Sequence, residues 1–126
     1  MKFLCFSELS RRGLRHGFTL REPQSPVLRD LVLELSHEGL PGAMISAEQI
    51  HGAGVAKVDQ TDVGKVIPGA DALISMKSDI TLAVRVADCG PVWLHCAKTG
   101  AIGLVHSGRK GTELGIVKEA VGLMRN

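Results

Sequence analysis

Thr81-Leu82-Ala83-Val84-Arg85-Val86 runs into Ala87-Asp88-Cys89-Gly90-Pro91, and a second apolar run, Ala101 to Val105, runs into His106-Ser107-Gly108-Arg109-Lys110-Gly111. Each run has the length of a strand. Each also delivers a residue that can ligate a metal just before glycine or proline breaks the pattern. Residues so placed look like the rim of a site rather than core packing. With Gln49-Ile50-His51-Gly52 upstream, the chain offers His, Cys and His at the ends of extended segments.

Outward from these runs, short strand candidates follow one another at about 43–50, 54–58, 71–75, 80–87, 91–96 and 100–106, separated by Gly, Pro and Asp. That spacing is too tight for intervening helices, so most should pair antiparallel or join a mixed sheet. Residues 2–6 read as a further short strand. Ser25 as N-cap, Pro26 at the first position and apolar Val27, Leu28, Leu31, Val32 and Leu35 predict a helix near 26–38, closed by Gly39. Leu114, Ile116, Val117, Ala120, Val121, Leu123 and Met124 form a second helical stripe over 112–124, interrupted only by Gly115 and Gly122. The fold class is α+β: a mixed, mostly antiparallel, sandwich-like sheet with outer helices, in a single domain over 1–126.

A chain of 126 residues with 44% hydrophobic content can bury one core. Three Phe, one Trp and no Tyr supply no stacking platform for single-stranded nucleic acid, and a dispersed net charge of +2 is too small for a nucleic-acid footprint. Met1-Lys2-Phe3-Leu4-Cys5-Phe6 is shorter than the apolar region of a signal peptide, and no stretch has the length of a membrane span. Three cysteines without an export signal read as reduced thiols in the cytoplasm, where a Cys/His set points to metal or catalysis.

Two imidazoles and one thiolate, His51, Cys89 and His106, make a three-ligand set for zinc that leaves a fourth position for water. The competing reading is a buried thiol with satisfied core histidines, since no CxxC or HxxxH pair brings the ligands together in sequence. His106-Ser107-Gly108-Arg109-Lys110-Gly111-Thr112 places basic residues at a helix start, which suits an anion, although a solvated turn explains it as well. Asp88 caps a turn, orients a ligand or serves as a base. Asp71 reads as a strand-entry residue. Cys5 and Cys96, inside apolar runs, read as packed thiols, His95 as facing solvent, and His37 as complementing a helix end.

Gln49-Ile50-His51-Gly52, Gly69-Ala70-Asp71-Ala72-Leu73-Ile74, Ala87-Asp88-Cys89-Gly90-Pro91 and His106-Ser107-Gly108, in this order, resemble the YfiH family, also called laccase-domain or multicopper polyphenol oxidase-like proteins and described as purine nucleoside phosphorylases with adenosine deaminase activity. The resemblance is specific from about Gln49 to Met124. It implies that His51, Cys89 and His106 bind zinc, and that Arg21 falls where the family carries an active-site arginine. The glycine pair usual after that arginine is replaced by Glu22-Pro23-Gln24. Where the family commonly has Ala-Gly-Trp-Arg-Gly after the second histidine, Arg109 stands at the tryptophan position and Lys110 at the arginine position.

The expected activity is therefore that of a zinc-dependent purine nucleoside enzyme, with Cys89, His106, Arg21 and Asp88 in the reaction and Arg109 and Lys110 on phosphate. Copper is disfavoured, because one His/Cys/His set lacks the many histidines that multicopper chemistry requires. Two alternatives remain: a cysteine hydrolase or deamidase using Cys89 and His106, and a chain that binds metal or a partner without turnover. Family members usually continue well beyond the last helix read here. The resemblance thus covers the first half of the pattern, so the chain is expected to be either a fragment truncated at the C-terminus or a reduced form that completes its sheet as a homo-oligomer or with a partner chain.

Overall fold

A computed structural model describes residues 3–19, 44–76 and 79–125. The helix predicted over 26–38, with Arg21 and His37, lies outside the described residues. The chain divides into two units, Met1–Gly42 and Ala43–Asn126. In the first, β1 (Phe3–Leu4) pairs antiparallel with β2 (Phe18–Thr19), and α1 (Ser7–Arg11) falls between them in sequence. The Glu8 carboxylate meets Arg11 at 3.2 Å and Arg12 at 3.0 Å, the one-turn spacing that supports a short helix.

The second unit contains β3 (Met44–Ala47), β4 (Val55–Lys57), a 3-10 turn (Gln60–Asp62), β5 (Val66–Ile67), β6 (Ala72–Ser75), β7 (Thr81–Ala83), β8 (Gly90–His95) and β9 (Ile102–Ser107), then α2 (Arg109–Glu113) and α3 (Ile116–Met124). From β3 to β7 successive strands alternate between two sheets, ordered β5-β3-β7 and β4-β6-β9-β8. The mixed α+β class read from the sequence is the class observed. The pairing is less antiparallel than the tight spacing predicts, because β3–β5, β3–β7 and β4–β6 run parallel while β6–β9 and β8–β9 run antiparallel. Parallel neighbours ordinarily need a long crossover. Here a strand of the opposite sheet makes each crossover, so no helix is required. The two-residue β5, absent from the sequence reading, enters after the 3-10 turn, which Asp59 caps by accepting from the Thr61 N–H.

Strand β6 is buried along its whole length and separates two apolar clusters. Leu73 packs with Ile45, Ala47 and Ile80 on one side; Ala72 and Ile74 pack with Val105, Ile116 and Ala120 on the other. This is the period-two alternation of a strand covered on both faces, by the β3 sheet and by α3. Fully burying a side chain of this size contributes roughly 1.5–3 kcal/mol, enough to fix the register at the β6 end that bears the site. The helix expected over 112–124 is two helices, because Gly115 adopts φ 78°, a left-handed conformation open to glycine at little cost.

Candidate metal centre

The centre is built around Asp71, immediately before β6. Antiparallel pairing of Ala72 with Val105 sets Asp71 beside His106, whose backbone N–H donates to the Asp71 carbonyl at 2.7 Å. The His106 ring then reaches the Asp71 carboxylate, with Nδ1 2.7 Å from Oδ2. A carboxylate accepts, so Nδ1 carries the proton and Nε2 keeps its lone pair for a ligand. The same carboxylate accepts from the backbone N–H groups of Ile50, His51 and Gly52, each at 3.0 Å.

Those three bonds hold a loop that would otherwise resist its shape. Gln49 and His51 have φ of 64° and 61°, unusual for residues with side chains. The Gln49 amide also donates to the Arg85 carbonyl at 2.6 Å and accepts from the Arg85 N–H at 2.7 Å, tying the His51 loop to the segment that leads to Cys89. At the start of β8, Gly90 pairs with Ser107 and Pro91 with His106, which brings Cys89 to the His106 end of β9.

The three elements converge. One ligand atom from each of His51, Cys89 and His106 lies within 4.8 Å of the other two, and the two imidazoles meet edge to face with centroids 5.1 Å apart. Tetrahedral zinc bonded to nitrogen at about 2.0 Å and sulfur at about 2.3 Å needs ligand atoms about 3.3–3.5 Å apart, so side-chain shifts of about an ångström close the set on an ion. The residues fit a metal in type and in proximity, with His106 backed by a carboxylate as metal-binding histidines usually are.

Burial alone pushes the Asp71 carboxyl upward, but the bonds from His106 and from the Gly52, Ile50 and His51 backbone outweigh it and hold it below the usual carboxylate value. Cys89 is pushed up, first by burial and then by the neighbouring Asp88 and by Asp71. A cation between the ligands would reverse that balance. His51 is exposed, Cys89 half-buried and His106 buried. A Cβ on Gly108 would lie 3.3 Å from Cys89 Sγ and 3.7 Å from the His51 ring, so glycine there keeps space beside the ligands.

An open cleft of about 470 Å³ adjoins the cluster, with Asp88, Cys89, Ser107, Arg109, Thr112 and Glu113 in its lining. Asp88 is exposed there, its Oδ1 3.8 Å from Cys89 Sγ. The Arg109 side chain is 94% exposed and 3.7 Å from Glu113. Lys110 is exposed on α2 and outside the cleft lining. Arg21 lies outside the described residues. Cys5 and Cys96 are not packed thiols: Cys5 is exposed, and Cys96 is half-buried at the β8–β9 turn, where the Thr99 hydroxyl and N–H hold its thiol below the ordinary value. The residue that sequence reading undervalued is Asp71. Its signal was a carboxylate opening the apolar run Ala72-Leu73-Ile74, a place where burial demands several partners.

A mixed α+β sandwich with a His/Cys/His rim backed by a buried carboxylate defines a candidate metal-binding protein. The chain belongs to the family described as multi-copper polyphenol oxidoreductase laccase, whose family model matches residues 6–126. It is 38% identical over 85 residues to "Purine nucleoside phosphorylase Cgl2154/cg2365" of Corynebacterium glutamicum, an alignment covering 67% of this chain and 35% of that protein. It is 39% identical over 90 residues to "Purine nucleoside phosphorylase ORF3" of Streptomyces griseus, covering 70% of this chain and 37% of the relative. The match thus spans about a third of the length of these curated relatives. Among solved structures, YlmD from Geobacillus stearothermophilus superposes with a TM-score of 0.71 at 29% identity, covering 79% of this chain and 42% of that one. Bacillus licheniformis YfiH shares the fold, with a TM-score of 0.73 at 24% identity over 79% of this chain and 40% of that one.

Proposed function

We propose that this chain carries the zinc-binding part of a purine nucleoside enzyme that performs phosphorolysis, deamination or both on adenosine-type nucleosides. The observation that carries this reading is the convergence of His51, Cys89 and His106 beside an open cleft, in a chain similar to proteins named purine nucleoside phosphorylases. A zinc ion held by these three residues would supply Lewis acidity toward an oxygen of water or substrate. Zinc is favoured over copper because this is one three-ligand set, and multicopper chemistry requires several. The three free thiols suit a reducing cytoplasm.

The chain's own groups have distinct tasks. Asp71 fixes the His106 tautomer and holds the His51 loop. Asp88, with Oδ1 3.8 Å from Cys89 Sγ, is placed to hold a proton at the cleft wall. Arg109, with Lys110 on the same turn, supplies positive charge for phosphate. In phosphorolysis a phosphate oxygen bonds to the anomeric carbon as the glycosidic C–N bond breaks and the base leaves with a proton. In deamination a water oxygen adds to the purine carbon bearing the amine, and ammonia leaves.

The test is metal analysis together with chromatography of adenosine and inosine, incubated with and without phosphate. About one zinc per chain is expected, with phosphate-dependent release of free base or conversion of adenosine to inosine, and loss of both metal and turnover in Cys89→Ser. A metal-free chain with no nucleoside product would sink the reading. Lys110→Ala should raise the phosphate concentration that phosphorolysis needs while sparing deamination; equal loss of both would assign Lys110 to the fold. One observation favours a second reading: Cys89, His106 and Asp71 also form the order of a thiol hydrolase triad. Inhibition by a thiol-alkylating reagent but not by a chelator would select it.

A further inference from the structure

The hydroxyls of Ser107 and Thr112 lie 2.6 Å apart, and the Thr112 hydroxyl lies 2.5 Å from the Gly108 carbonyl oxygen. A hydroxyl carries one proton, and a carbonyl oxygen only accepts. The Thr112 proton is therefore committed to Gly108. Thr112 must then accept from Ser107, so the protons run in one order, Ser107 to Thr112 to Gly108. Each bond polarises the next. The Ser107 oxygen is left with lone pairs alone.

Ser107 and Thr112 both line the cleft beside Cys89, and the carboxylates of Asp88 and Glu113 line it with them. All of these side-chain oxygens are acceptors when the carboxylates are ionised, and the one cation in the lining, Arg109, faces Glu113 at 3.7 Å. An anion placed against Ser107 would meet lone pairs. A vicinal diol, by contrast, brings two protons to two acceptors, as ribose does against a carboxylate in dinucleotide sites. Resting on the nucleoside reading above, we propose that Ser107 is a specificity-determining residue that accepts a hydrogen bond from a ribose hydroxyl. Phosphate then belongs on the Arg109 side of the cleft.

The test compares adenosine with its 2′-deoxy, 3′-deoxy and corresponding fluoro analogues, and with purine riboside, which lacks the amine. Affinity and turnover are measured on the zinc-loaded full chain, its Ser107→Ala variant and its Thr112→Val variant. The unmodified chain should bind adenosine about three- to tenfold more tightly than one deoxy analogue, the span of a typical neutral hydrogen bond, and should reject the matching fluoro analogue equally, since fluorine donates nothing. Ser107→Ala should erase that difference. Thr112→Val releases the Ser107 proton, so the fluoro analogue should gain on the deoxy one.

Discrimination that survives Ser107→Ala, or that is absent from the unmodified chain, overturns the proposal even where nucleoside turnover stands. Ser107-dependent discrimination that follows the purine amine instead of a hydroxyl overturns it too. No gain for the fluoro analogue in Thr112→Val refutes the proton order. Ser107-dependent hydroxyl discrimination in binding without turnover supports the proposal and removes the enzymatic reading. Failure of every nucleoside to bind removes both.

Discussion

Asp71 is fully buried and negatively charged, a combination that is costly unless every lone pair is answered. Four donors answer it, three from the His51 loop and one from His106. One carboxylate therefore sets both the backbone shape at His51 and the tautomer of His106. Asp71→Asn keeps the volume and removes the charge. It should weaken zinc binding by about 10- to 100-fold and lower stability by about 2 kcal/mol, read by competition with a zinc indicator and by urea unfolding. The pH dependence has a definite sign. The folded carboxyl lies below its ordinary value, so its contribution is present above about pH 4 and is lost as pH falls through the folded value, where the unfolded chain binds more protons. The acid limb of the stability curve should flatten in Asp71→Asn; an unchanged limb would show that Asp71 is not the group being titrated.

Between elements, a close backbone contact near the site joins α2 to the His51 loop. A Cβ on Gly111 would stand 2.6 Å from the Gly52 carbonyl oxygen, a backbone atom that cannot rotate aside. Gly111→Ala should push α2 from the loop, costing about 1–3 kcal/mol and loosening zinc binding because His51 moves with Gly52. Gly122 on α3 supplies the contrast, since a Cβ there meets nothing within 4 Å. Gly122→Ala should raise stability by roughly 0.5–1 kcal/mol and leave metal affinity alone. Thermal melts and zinc titrations of the pair separate contact from helix propensity, and matching effects in both variants would mean that the α2–loop contact has no influence on the ligands.

For the molecule as a whole, an ion bound at the junction of the His51 loop, the β8 start and the β9 end would tie distant parts of the chain together. Zinc at about a thousand times its dissociation constant should add about 4 kcal/mol, a rise in Tm of roughly 15 °C or more for a unit of this size. Calorimetry with and without chelator measures it, and identical melts would show that these side chains hold no ion of consequence. What was legible in the residues alone was local: apolar runs bounded by Gly, Pro and Asp that placed most of the strands, and the family resemblance those segments carry. Of the three residues expected at strand ends, only His106 stands at one, because Gly90-Pro91 opens β8 directly after Cys89 and His51 lies in a loop beyond β3. Period and breakage are properties of neighbouring residues, so they survive in the linear chain. The break at Gly115, the parallel pairing and the role of Asp71 did not. Which sheet a strand enters depends on what it buries against, and a carboxylate acquires its task only when the β6–β9 register places it within reach of His106 and beneath the His51 loop. Those are relations between residues 17 to 37 positions apart, and only the folded chain decides them.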